Sequence, residues 1–137
     1  MGNASRSLAR QQALQALYSV AVGGRDAGDA VDDVVSPRAS SDHRLFVREL
    51  VMGTLEHQTQ ADERIVSRLQ GWTLERLPAL DRLILRMGTY ELLYCPQTPA
   101  PVVINEAVEL AKKFSTEDSG RYVNGVLSAV AAEHAQP

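Results

Sequence analysis

The residues with chemical potential are few, and their types suit binding better than catalysis. Lys112 and Lys113 are the only lysines in the 137-residue chain, and they are adjacent. Arg121 and Tyr122 follow after a short polar break. Positive charge and an aromatic ring are thereby brought to one corner. Arg6 and Arg10 lie one helical turn apart near the N-terminus, and no acid occurs between Met1 and Tyr18, so this end is locally positive.

Catalysis finds no comparable set. His43, His57 and His134 fall in different segments, none at metal-ligand spacing to another or to Cys95. Glu106 and Glu109 share a helix with Lys112 and Lys113, where Glu109–Lys113 is an ordinary i, i+4 ion pair. No Gly-rich phosphate loop occurs; Gly23-Gly24 reads as a helix stop. No enzyme activity, metal or cofactor is therefore expected. The binding residues have plainer readings too. Two arginines on a terminal helix are usually solvated, lysines suit a helix C-terminus through its dipole, and Tyr122 can belong to the core. Asn124-Gly125 is harder to dismiss. Neither residue favours a helix interior, so close packing or a contact by Asn124 is expected there.

The elements that position these residues are helical. The hydrophobic share is 45% and the aromatic share 5%; with abundant Leu, Val and Ala, this suits one all-α domain over 1–137. The net charge of −3 means that nucleic-acid binding needs a local patch or a basic partner. A lone cysteine, Cys95, excludes an internal disulfide and fits a reducing compartment. No apolar run reaches the ~18 residues of a membrane span. The N-terminus lacks the apolar core of a signal peptide. A cytoplasmic protein is expected.

Residues 4–22 give a first helix through Leu14, Leu17, Tyr18 and Ala21, and 25–35 a short acidic one; 36–41 form a loop. Asp42 to about Thr59 is a longer helix in which Gly53 marks a close crossing. Asp62 to Gln70 is another, ended by Gly71, with Trp72 plugging a gap between helices. Residues 79–95 are the most apolar and the expected central helix. Pro99 and Pro101 then lead into an αα-hairpin. Val103, Ala107, Leu110, Ala111 and Phe114 line its first arm, and Val123, Val126, Leu127 and Val130 its second. Nothing alternates with period two, so no sheet is expected.

The chain resembles the NusB family of bacterial transcription antitermination factors over nearly its whole length. The likeness rests on Ala13-Leu14-Gln15-Ala16-Leu17-Tyr18, on Gly71-Trp72-Thr73-Leu74-Glu75-Arg76-Leu77, and on Asp81-Arg82-Leu83-Ile84-Leu85-Arg86 with Tyr90-Glu91-Leu92. Its most specific parts are Val103-Ile104-Asn105-Glu106-Ala107 and Tyr122-Val123-Asn124-Gly125-Val126-Leu127.

The resemblance implies about seven helices in two packed sub-bundles and a non-catalytic RNA-binding role. Family members pair with NusE, a basic small-subunit ribosomal protein. The pair binds boxA in nascent RNA, mainly of ribosomal RNA operons, within the RNA polymerase antitermination complex. On this likeness Arg6, Arg10, Lys112, Lys113, Phe114, Arg121, Tyr122 and Asn124 face RNA, while Tyr18, Glu75 and Asp81 face NusE. The N-terminal arm carries two arginines where an arginine cluster is common, which favours dependence on the partner. Some family members self-associate, so a homodimer is among the partners the likeness allows. Two rivals are a protein-only scaffold and the RNA-binding domain of ribosomal RNA cytosine methyltransferases. The chain's length leaves no room for a methyl-donor domain, which weighs against the second.

Overall fold

The computed structural model describes residues 2–136, which form seven α-helices and one 3₁₀ turn, with no strand among the described residues. The all-α expectation is met. The helices divide into two compact units, one ending at Glu56 and the other beginning at His57.

In the first unit, α1 (Asn3–Gly23) contacts α2 (Ala27–Val34) and α3 (Ser41–Glu56). Helix α1 buries Ala9, Ala13, Leu14, Ala16 and Leu17, three or four apart, so one stripe is drawn out of water. Gly24 ends the helix at φ 68°, a left-handed conformation that glycine adopts without steric cost. Its N–H donates to the Val20 carbonyl at 3.2 Å, and that of Arg25 to Ser19 at 3.1 Å. Asp26 caps α2, its Oδ2 accepting the Asp29 N–H at 3.1 Å. Arg25 then donates twice to Asp33, at 2.9 and 3.1 Å, which holds that carboxyl below its ordinary pKa. A 2.7 Å bond between His43 Nε2 and Gln12 Oε1 ties α3 to α1.

The second unit holds α4 (Gln58–Val66), a 3₁₀ turn (Leu74–Arg76), α5 (Ala79–Tyr94), α6 (Ala100–Phe114) and α7 (Glu117–His134). Helix α5 contacts α4, α6 and α7 and is central, as its apolar pattern implies. Gly88 sets the packing distance. A Cβ there would lie 2.8 Å from Leu127 Cδ1 and 3.7 Å from Ala107 Cβ. The hairpin α6–α7 therefore seats on α5 more closely than a larger residue permits. Arg86 on α5 grips Asp62 on α4 with two bonds, at 2.8 and 3.0 Å. Glu133 near the end of α7 accepts from both Arg64 and Arg68.

Several boundaries and one role differ from the sequence expectation. The helical run breaks at His57, not between Thr59 and Asp62, and α4 ends at Val66. Beyond it the bonding tightens to i, i−3: Arg68 N–H reaches Ile65 at 2.9 Å and Leu69 N–H reaches Val66 at 3.2 Å. Gly71 at φ 78° then redirects the chain. Trp72 plugs no gap. It is 57% exposed, while Leu74 and Leu77 supply the buried contacts of that segment.

Candidate nucleic-acid interface

The end of α6 and the start of α7 form one corner. Pro101 lies in the first turn of α6, and its stripe ends at Leu110 and Ala111, both buried. The next turn has no core to enter, so Lys112 and Lys113 face water at the carbonyl end of the helix, where cations are favoured. Lys112 Nζ lies 4.0 Å from Glu109, and Lys113 Nζ sits 5.5 Å from the centroid of the Phe114 ring. Gly120 allows α7 to pass Lys112. A Cβ at that position would meet Lys112 Cγ at 3.0 Å.

A hydrogen-bond chain that runs from exposed Thr116 to buried Asp81 fixes the corner from below. Thr116 Oγ1 caps α7 by accepting the Ser119 N–H at 3.0 Å, and donates its own proton to Ser119 Oγ at 3.0 Å. Ser119 Oγ in turn donates to Asp81 Oδ2 at 2.8 Å. Ser115 lies 3.0 Å from the same hydroxyl and, since that proton is committed to Asp81, acts as a donor. Tyr122 is half-buried and its hydroxyl is sealed from water. Neither this hydroxyl nor Asp81 Oδ1 finds a hydrogen-bond partner among the described residues. Burial, and then the Asp81 charge, push the phenol pKa above its ordinary value.

Arg121 projects outward and pairs with Asp118; the two side chains are 77% and 86% exposed. It borders two grooves. One, of about 580 Å³, runs between α6 and α7 over Ile104, Val108 and Lys112, with Asn124 and Ser128 on its rim. The other, of about 550 Å³, lies across α7 against Arg68 and Trp72. Neither has a carboxylate among the described residues that line it. Asn124 is exposed, and its Oδ1 accepts from Ser128 Oγ at 3.5 Å. The Asn124-Gly125 pair does not mark close packing: a Cβ on Gly125 would meet nothing within 4 Å.

The first unit carries the two remaining arginines expected to face RNA. The Arg6 and Arg10 guanidinium carbons sit 5.0 and 5.4 Å from the centroid of the same Phe46 ring. The expectation that Arg10 faces phosphate is corrected: only 2% of it is exposed, and its charge is held in the fold beside Phe46. Arg6 keeps partial access. Tyr18 is 41% exposed and Val22, one turn on, is 57% exposed. Glu75 is exposed on the 3₁₀ turn. Asp81 is a correction of the same kind as Arg10: at 5% exposure it lies beneath the corner, bonded to Ser119, and not on an outer surface.

Sequence reasoning passes over Ser119, Gly120, Arg68 and the exposure of Trp72. Only the helix-capping pattern of Thr116 and Ser119 offers a signal. Among the described residues no group of His, Cys, Asp and Glu could hold a metal ion, and no helix is long and apolar enough to cross a membrane.

Fold and site together define a helical protein of two compact units, the second carrying a corner of exposed lysines and an arginine beside aromatic rings. The profile of the NusB family matches residues 7–132, and the chain belongs to that family. It is 47% identical over 127 residues to the transcription antitermination protein NusB of Geobacillus kaustophilus, covering 93% of this chain and 95% of that one. It is 44% identical to the NusB protein of Solibacter usitatus, over 98% and 93% of the two chains. Among solved structures, T. maritima NusB superposes with a TM-score of 0.87 at 31% identity, over 99% of this chain and 96% of that one. A NusB chain from a complex of antitermination factors NusB and NusE with double-stranded RNA gives 0.86 at 29% identity, over 96% and 99%. Both relatives are transcription antitermination proteins.

Proposed function

We propose that this chain is an RNA-binding antitermination factor of the cytoplasm. It pairs with the ribosomal protein NusE and binds boxA of nascent transcripts, mainly those of ribosomal RNA operons, as part of the RNA polymerase antitermination complex. Residues 1–137 act as one RNA-binding module. The observation that carries this is the α6–α7 corner, where Lys112, Arg121 and Asn124 line one groove and the neighbouring Lys113 sits over the Phe114 ring. The likeness to a NusB chain solved with NusE and RNA supports the same partners.

Lys112, Lys113, Arg121 and Arg6 hold phosphates. Phe114 and Tyr122 offer ring surface to unpaired bases, and Asn124 supplies an amide for base edges. Arg10 and Asp81 act from inside: Arg10 fixes the Phe46 ring that Arg6 also uses, and Asp81 fixes Ser119 and the start of α7. Tyr18 with Val22 on α1, and Glu75 on the 3₁₀ turn, face NusE, whose basic groups meet the carboxylate. A net charge of −3 agrees with a protein that relies on a basic partner for much of its RNA affinity.

Fluorescence titration of a boxA-type RNA oligonucleotide, with and without NusE, tests this. The complex is expected to bind more tightly than either protein alone. No gain from NusE would remove the adaptor function. Sedimentation of the free protein checks for a homodimer that covers the corner; RNA affinity would then rise on dilution.

A further inference from the structure

The second groove beside Arg121 has no role in the site so far described. It shares Arg121 with the Lys112 groove and is otherwise bordered by Arg68, Trp72, Tyr122, Gly125 and Val126. Trp72 is the only tryptophan of the chain, and 57% of it stands in water. An indole this exposed draws little stabilisation from packing, whereas its face is a good platform for a nucleobase. Gly125 keeps the adjoining stretch of α7 low, since nothing lies within 4 Å of where its Cβ would be. The cavity volume of about 550 Å³ is open enough to take a nucleotide.

Charge selects the class of occupant. The lining contains two guanidinium groups and, among the described residues, no carboxylate. Arg68 is largely engaged by Glu133, so the available cation is Arg121, whose exposed pair with Asp118 is weak and exchangeable. A basic protein partner would meet like charge here; an RNA backbone would meet its complement. We infer that this groove is a slot for one unpaired nucleotide of the bound RNA. Its base stacks on Trp72, its phosphate lies against Arg121, and the strand crosses α7 over Gly125 from the groove that holds Lys112 and Asn124. This rests on the RNA-binding function proposed for the chain and adds a subsite to it. Because every base has a stacking face, the slot demands an unpaired nucleotide and discriminates weakly among bases.

The sole tryptophan reports on the slot directly. Titrating the complex with NusE with a boxA-type oligonucleotide, while following Trp72 emission and the anisotropy of labelled RNA together, should give quenching that saturates with binding. Trp72→Ala should weaken RNA binding roughly tenfold, and Trp72→Phe should restore part of the loss. Gly125→Leu adds bulk at an exposed helical position and should fold normally while weakening RNA to a similar degree. Annealing a complementary strand over the bound segment should abolish the quenching. If labelled RNA binds but Trp72 emission is unchanged and both variants stay within twofold of the parent, the slot is overturned and the RNA function stands. If NusE alone produces the whole change in emission and RNA adds nothing, the groove is a protein contact and the slot is overturned. If no RNA binds, the RNA function itself fails and the slot with it.

Discussion

Ser119 Oγ donates a 2.8 Å hydrogen bond to Oδ2 of the buried Asp81 and so joins the first turn of α7 to the start of α5. Sequence reasoning assigns Asp81 to a partner surface because an exposed carboxylate suits a basic partner. Its place beneath the corner gives it a different role, which is to set where Ser119, Gly120 and Tyr122 stand.

Asp81→Ala should therefore act on stability first. It leaves the Ser119 hydroxyl without its acceptor inside the protein, a loss of about 1–3 kcal/mol. Urea unfolding should show that decrease. RNA affinity should fall as well, because the start of α7 loses its anchor. Ser119→Ala should give at least as large a loss, since it strands the buried Asp81 carboxylate, whose Oδ1 already lacks a donor, and an unmet buried charge costs more than an unmet hydroxyl. If both variants unfold at the parental midpoint, the link does not hold the corner.

Tyr122 gives the corner a pH dependence at the alkaline end. Its folded pKa is raised above the unfolded value, chiefly by burial and then by the Asp81 charge. Below the ordinary tyrosine pKa both states keep the proton and nothing is lost. Above it the unfolded chain releases the proton while the folded one retains it, so stability falls as pH rises through that range. The urea midpoint should drop from about pH 10 upward, and Tyr122→Phe should flatten the decline. Removing a buried hydroxyl that lacks a partner should also raise the midpoint at neutral pH.

Two glycines in adjacent helices should respond in opposite senses to the same substitution. Gly88→Ala places a Cβ 2.8 Å from Cδ1 of Leu127, which is wholly buried and cannot swing away. Overpacking costs about 1–3 kcal/mol and outweighs the ~1 kcal/mol gained in helix propensity, so the protein should lose stability. Gly125→Ala meets nothing within 4 Å and should gain about 1 kcal/mol. Thermal unfolding of the pair decides it; equal shifts would mean that α5 and α7 are not as close at Gly88 as described.

The helical stripes were legible because burial imposes a 3.6-residue period, and the hairpin of α6 and α7 reads directly from Val103, Ala107, Leu110, Val123 and Leu127. The boundary near Val66 was not, because the helix end there depends on a tightening to i, i−3 bonds that no residue type announces. Charged groups were the hardest. Arg10 and Asp81 look like surface residues by type, but one is covered beside Phe46 and the other is buried with one oxygen bonded by Ser119. Trp72 failed in the other direction: large aromatics are usually buried, and this one stands at a sharp turn after Gly71, where the helices leave it no gap.

The arginines of α1 separate affinity from stability. Arg6 retains access to solvent and Arg10 does not, although both sit over Phe46. Arg6→Ala should weaken RNA binding by the complex with NusE and reduce the slope of log affinity against log salt by about 0.7, the contribution of one single-strand phosphate. Its thermal midpoint should change little. Arg10→Ala should do the reverse, lowering the midpoint because it empties a covered site, with a salt slope near the parental value. Lys113→Ala should behave as Arg6→Ala does. A reduced salt slope for Arg10→Ala at unchanged stability would return Arg10 to the phosphate-contacting set.

Asp118 offers a gain of function at the same surface. Its carboxylate pairs with Arg121, which borders both grooves, and it is 86% exposed, so it occupies the cation that would meet phosphate while contributing little to stability. Asp118→Asn keeps the size and a polar group near the start of α7, but frees Arg121 for phosphate. RNA affinity should rise about two- to fivefold at low salt, the scale of one exposed charge pair. The gain should shrink as salt screens the charge. Combining it with Arg121→Ala should abolish the gain, because the released cation is then absent. A gain that survives in the double variant would mean that Asp118 repels RNA directly and that Arg121 takes no part.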